Sequence, residues 1–178
     1  MSQYIFPDHL KYTKEHEWVD LSQEIAIVGI TEYAVKSLHD IVYVSLPEVG
    51  STIKQFQVVA TVESIKSVSE IYSPLSGTIV DVNKILETNP EKINLSPYKE
   101  GWLFKIKPSN LDSDVKNLMS AEEYRRYIES LKKIRYTLAV TLLLFLTAFD
   151  YATYPGFEWD HIALFGLAPR GAAVSSNN

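Results

Sequence analysis

Cysteine is missing altogether from this chain of 178 residues. That absence removes the disulfide framework, the thiolate metal site and the cysteine nucleophile together, so any sulfur or redox chemistry has to be imported. An excess of positive charge is missing too. With a formal net charge of -5 and a pI near 5.4, the chain has no electrostatic footprint for nucleic acid, whose binders must displace phosphate counterions. The first residues, MSQYIFPDHLKYTKEHEW, lack a basic stretch followed by an apolar one and are too acidic and arginine-poor for an organelle transit peptide, so a bacterial cytoplasmic start is expected. No Walker A loop and no G-x-G-x-x-G run occurs, which leaves nucleotide binding unsupported. His9, His16, His39 and His161 show neither i, i+4 pairing nor H-E-x-x-H spacing, and no metal site is expected. Ser130-Leu-Lys-Lys133 fits S-x-x-K, but without its partner motifs the match is a coincidence.

What is present is apolar and aromatic material, 46% and 12% of the chain, enough to bury one core. Residues 12–108 read as short β-prone runs broken by turn chemistry, which predicts an all-β sandwich or barrel. HEWVDL and EIAIVGI, split at Ser22 and Gln23, form a hairpin candidate. In TEYAVKSL, Thr31 is a candidate N-cap, with Ala34, Val35 and Leu38 on one helical face. DIVYVSLP reads as a buried strand closed by Pro47. Gly50-Ser-Thr-Ile53 and Gly77-Thr-Ile79 start two similar strands, a weak echo that suggests two related β units packed face to face.

One lysine stands apart. Lys66 falls between QVVATV and EIYSPLSGTIVDV, at the tip of an expected hairpin. A strongly hydrated ammonium belongs at such a tip in any case, and most turn lysines are simply solvated. A lysine offered for modification also needs a rigid base, which Val58, Val59, Ala60 and Val62 on one side and Ile71, Tyr72 and Pro74 on the other would supply.

VESIKSVSEIYSPLSGTI resembles the lipoyl attachment segment of the glycine cleavage system H proteins. The likeness extends through YTKEHEWV, VGITEYA, DIVYVSLPEVG and NPEKINLSPYKEGWLFKI in the family's order, over roughly residues 10–130. Biotin carriers share the hairpin but usually flank their lysine with methionines, where this chain has Ile65 and Ser67. The resemblance implies a mainly β fold: a lipoyl-domain-like β-sandwich, a flattened barrel of two sheets, with a short internal helix and a C-terminal helix. It implies lipoate in amide linkage on Lys66, and a shuttle that catalyses nothing itself and passes an aminomethyl group from glycine decarboxylase to aminomethyltransferase. Dihydrolipoamide dehydrogenase and a lipoate-attaching enzyme are the further implied partners. Glu63 falls where the family has its glutamate, implying recognition by the attaching enzyme, against the alternative of a solvated turn acid. Glu70 replaces the relatives' usual aspartate. Glu17 and Tyr33 match positions lining a cleft that protects the loaded amine, with an ordinary structural role as the alternative for both. Leu38-His39-Asp40 stands where relatives commonly read Leu-Gly-Asp, so a positive φ there would strain His39. Two other functions stay open: a lipoyl relay or store for 2-oxo acid dehydrogenase complexes, and a membrane-tethered interaction module whose lysine is never modified.

SAEEYRRYIESLKKI opens with Ser120 and Glu123 in capping-box spacing, and Tyr124, Tyr127, Ile128 and Leu131 recur at helical intervals. The expected division is a carrier domain over 1–131 and an atypical apolar tail over 132–178. Residues 136–149 are uncharged and leucine-rich, yet shorter than the ~20 residues that cross a bilayer as a helix. Three readings of the tail remain. A span over 136–157 would have to run through Asp150 towards Phe157, with Lys132, Lys133 and Arg135 as its cytoplasmic anchor, at a cost of roughly 3 kcal/mol for the aspartate. The run could instead be a helix packed on the body or on a partner, or an extension unrelated to carrier function, such as a shifted reading frame would create.

Overall fold

A computed structural model describes residues 4–153, the last seven by backbone alone. The described backbone groups into two compact units, divided between Ser130 and Leu131. In the first, β1 (Lys11–Tyr12), β2 (Glu17–Asp20) and β3 (Ala26–Ile30) lead into helix α1 (Glu32–Leu38). Strands β4 (Ile41–Ser45), β5 (Thr52–Ile53), β6 (Val58–Ser64), β7 (Val68–Tyr72) and β8 (Gly77–Val82) follow. Helix α2 (Lys92–Leu95), β9 (Phe104–Pro108), α3 (Leu111–Asp114) and α4 (Ala121–Thr153) complete the order.

Two antiparallel sheets result, one ordered β1-β2-β3-β9-β8-β5 and one ordered β4-β6-β7. The expected mainly β sandwich is therefore the observed architecture. Alternation along the strands explains the core: Val28, Ile30, Val62, Ile71, Ile79, Phe104 and Ile106 are buried in one cluster. The hairpin expected around Ser22 and Gln23 forms, with Trp18 opposite Gly29. Gly29 has a specific reason to lack a side chain, because a Cβ there would lie 2.5 Å from the Trp18 ring.

Two expectations need correction. DIVYVSLP does not form a buried strand: β4 is the edge of the smaller sheet, with Ile41 and Val44 inward and Val42 and Tyr43 exposed. Its apolar run is continuous, but an edge strand with one covered face buries only part of it. The two Gly-led segments do not pack face to face either. They pair antiparallel in one sheet, Thr52 opposite Thr78 and Ile53 opposite Gly77.

Helix ends follow the local chemistry. Thr31 caps α1, its hydroxyl accepting from the Ala34 N–H at 3.3 Å. At the other end His39 adopts φ 68°, the positive φ expected of the position where relatives place glycine. The capping box of α4 forms in full, with the Ser120 N–H donating to Glu123 at 2.7 Å and the Glu123 N–H to the Ser120 hydroxyl at 3.3 Å. Of its apolar positions, Tyr124 and Ile128 are buried. The Tyr124 ring stacks on Tyr12 at 4.8 Å and meets Phe6 edge-on at 4.9 Å, and each such buried aromatic contributes about 2 kcal/mol.

Among the described residues no helix is long and apolar enough to cross a membrane. The far part of the span considered above, Tyr154 to Phe157, and His161 lie outside the described residues.

Candidate functional site: a lysine on a two-stranded prong

Strands β6 and β7 pair from Val58 opposite Tyr72 to Glu63 opposite Val68. Ser64 then closes a tight turn. Its N–H donates to the Ser67 carbonyl at 2.8 Å, and its hydroxyl accepts from the N–H groups of Ser67 at 3.1 Å and Lys66 at 3.3 Å. The serine thus satisfies turn amides that the ladder cannot reach. Ile65 is anchored as well, its N–H donating to the Asp40 carbonyl at 3.2 Å. Lys66 sits exposed on this fixed backbone, and no hydrogen bond or ion pair engages its ammonium among the described residues. The tip is also unusually apolar, with Ile65 71% and Val68 63% exposed.

Below the tip the prong is packed into the core. Ala60, Val62, Ile71 and Pro74 are buried, while Val58 and Val59 are only partly covered. Tyr72 joins two carboxylates: its N–H donates to Glu17 Oε1 at 2.9 Å and its hydroxyl to Glu70 Oε2 at 2.8 Å. The Glu70 bond raises the Tyr72 pKa, because it holds the phenolic proton and a nearby negative charge opposes its loss. Glu17 is fully buried. Its second oxygen accepts from the Thr13 hydroxyl. Burial raises its pKa, and the hydrogen bonds from Thr13 and Tyr72 work against that rise.

A groove of about 610 Å³ lies beside the prong, between β7, α1 and the turn before β2. Val68, Glu70 and Tyr72 form one wall, Ala34 and Ser37 another, and Glu15 and His16 contribute from the turn. His16 is held by Tyr124, whose hydroxyl lies 2.8 Å from Nδ1, and by the Tyr33 ring at 4.8 Å. Burial pushes the imidazole down to about 4.

The five residues singled out from the sequence are distributed as follows. Lys66, Glu63 and Glu70 share the prong, with Glu63 partly exposed and paired with both Tyr43 and Val68. Glu17 is bonded to the prong from beneath, and Tyr33 is buried against His16 and Tyr4. Neither lines the groove; Glu15, His16 and Tyr72 do. Sequence reasoning passes over Glu15 and Ser37, and reads His16 and Tyr72 only as scaffold. The available signal is position, since Glu15 and His16 directly precede Glu17 in KEHEW.

The family model described as glycine cleavage H-protein matches residues 10–131. A probable glycine cleavage system H protein of Thermococcus gammatolerans is 48% identical over 132 residues, 74% of this chain and 98% of that relative. The glycine cleavage system H protein of Psychrobacter sp. is 50% identical over 120 residues, 67% of this chain and 94% of its own length. The crystal structure of a glycine cleavage system H protein from Mycobacterium marinum superposes with a TM-score of 0.62 at 39% identity, covering 67% of this chain and 95% of that one. The family model spans more than half of the chain, the relatives are covered almost end to end, and the chain belongs to the glycine cleavage H-protein family.

Proposed function

We propose that Lys66 carries lipoate as an amide and that the chain acts as the aminomethyl shuttle of glycine cleavage. In this role it would serve glycine decarboxylase, aminomethyltransferase and dihydrolipoamide dehydrogenase without catalysing a step itself. The observation that carries the reading is the exposed, unengaged Lys66 ammonium on a turn fixed by Ser64. A ligase has to approach one amine in a reproducible geometry, and a side chain on a stiff two-stranded support offers that. When bound, the lipoyl group supplies the dithiolane that a cysteine-free chain lacks and that takes up the aminomethyl cargo.

The chain's own residues do the rest. Lys66 contributes a four-carbon stem, and amide formation removes its charge, so the arm can rest on apolar surface as well as swing through water. Ile65 and Val68 provide such surface at the tip. Glu63, on the partly exposed face between Tyr43 and Val68, is the acid we assign to recognition by the lipoate-attaching enzyme. The groove gives the cargo amine a place out of bulk water, with Glu15 and Glu70 as carboxylate partners. Glu17 and Tyr33 support that wall from behind, Glu17 through Tyr72 and Tyr33 through His16.

The test is intact mass after expression with a lipoate ligase and lipoate. One lipoyl increment, mapped to Lys66 and lost in Lys66→Arg, is expected. A chain that stays unmodified under conditions that load another carrier would overturn the reading.

A further inference from the structure

Beyond carrier function, we propose that the helix segment after Leu131 seats the chain on an anionic lipid bilayer. Lys132, Lys133 and Arg135 would lie at the headgroups, with the uncharged run 136–149 in the hydrocarbon of one leaflet.

The first argument is geometric. Leu142, Leu143, Leu144, Phe145 and Leu146 are five consecutive positions of α4, and each is more than half exposed. Successive helical positions step around the axis at 3.6 per turn, so these five side chains face every direction. A helix apolar all round differs from an amphipathic one: a groove on a protein covers one side only, whereas lipid or the centre of a bundle covers all of them.

The second argument is charge. Lys132, Lys133 and Arg135 are exposed and immediately precede the run, and residues 136–149 contain no charged side chain. Packing copies of this helix in parallel would gather three cations per chain at one level. Anionic headgroups neutralise the same cluster, and cations beside an inserted apolar segment strengthen its partition.

Length fixes the depth. Fourteen helical residues extend about 21 Å, against a hydrocarbon core of about 30 Å. Asp150 ends the uncharged run. With charge at both ends of a run longer than the roughly 15 Å depth of one leaflet, the segment lies strongly tilted in that leaflet and does not cross.

The experiment is flotation of the full chain with vesicles of phosphatidylcholine alone or with about 30% phosphatidylglycerol, where partition is expected to be on the order of a hundredfold tighter on the anionic vesicles. Raising the salt concentration should reduce that gain. Lys133→Glu with Arg135→Glu, which leaves the apolar run intact, should bring binding down to the neutral-vesicle level. Leu142→Asp with Phe145→Asp should abolish flotation on both. Recovery of the chain lipid-free, as a self-associated species or as a monomer covered by its own residues 154–178, would overturn the proposal, and so would equal recovery on neutral and anionic vesicles. Loading of Lys66 is a separate readout: its failure strikes the carrier reading, and failure of flotation strikes this one.

Discussion

The N–H of Tyr72 donates to the buried carboxylate of Glu17 at 2.9 Å, which ties the end of β7 in the smaller sheet to the start of β2 in the larger one. Thr13 bonds the other oxygen, so the carboxylate is satisfied on both sides without a cation. Glu17→Ala removes both acceptors and leaves the Tyr72 N–H without its partner. A loss of about 1–3 kcal/mol in denaturant unfolding is expected, with faster amide exchange along β7. Glu17→Gln keeps an oxygen for Tyr72 and removes a buried charge, so its loss should be clearly smaller. Equal losses for the two would show that the hydrogen bond to the prong contributes little.

Ser64 controls the tip. Ser64→Ala removes the hydroxyl that accepts from Lys66 and Ser67 but keeps the backbone bond to the Ser67 carbonyl. Global stability should drop by about 1 kcal/mol or less, since the turn amides can reach water. The lipoylation rate should fall more than stability does, because the turn loses its fixed geometry. A ligase progress curve at matched folded fraction checks this; an unchanged rate would mean that the attaching enzyme shapes the turn itself.

Much of this site is local information, and local information is legible in sequence. The Thr31 cap, the Ser120–Glu123 box and the Lys66 turn each depend on residues within a few positions of one another, and each forms as expected. The burial of β4 is misjudged because a run such as IVYVS does not reveal which strand it will lie beside, and so cannot reveal that it ends as an edge. Face-to-face packing of the two Gly-led strands fails for the same reason, since the partner of a short strand is chosen by tertiary packing. The groove lies furthest from view. Its walls come from β7, α1 and the turn at His16, brought together by long-range contacts such as that between Tyr124 and His16, 108 positions apart.

His39 offers a stabilising substitution. Its φ of 68° and ψ of -139° lie in a region that glycine visits freely and a residue with a Cβ does not. Its carbonyl accepts from the Asn94 side chain at 2.7 Å and its backbone N–H donates to the Val35 carbonyl, bonds that glycine would keep. His39→Gly relieves about 1–3 kcal/mol of strain and gives back about 1 kcal/mol in unfolded-chain entropy, so a net gain of about 1 kcal/mol is expected in urea unfolding. His39→Ala, which keeps the Cβ, should show no such gain; a gain as large as that of glycine would place the benefit in the lost imidazole.

His16 makes stability depend on pH. Its imidazole is partly buried, packed against Tyr33, Tyr124 and Tyr127, with Glu15 and Glu17 adjacent in the chain, and its pKa is lowered from 6.5 to about 4. The unfolded chain therefore binds a proton below 6.5 that the folded chain refuses until about 4. Stability from this group is complete above the upper value and lost as pH falls through the window, by up to about 1 kcal/mol per pH unit. Glu17 acts in the opposite sense. Its folded pKa is raised, so the folded state keeps a proton that the unfolded carboxyl releases above 4.5, and its contribution grows as pH falls. The two partly cancel, which makes single variants more informative than the parent. His16→Asn, suited to the φ of 78° found there, should flatten the acid-side decline in urea midpoints, and Glu17→Gln should steepen it. A decline that is unchanged in His16→Asn would assign the acid sensitivity to other groups and leave His16 charged or neutral with equal ease in the fold.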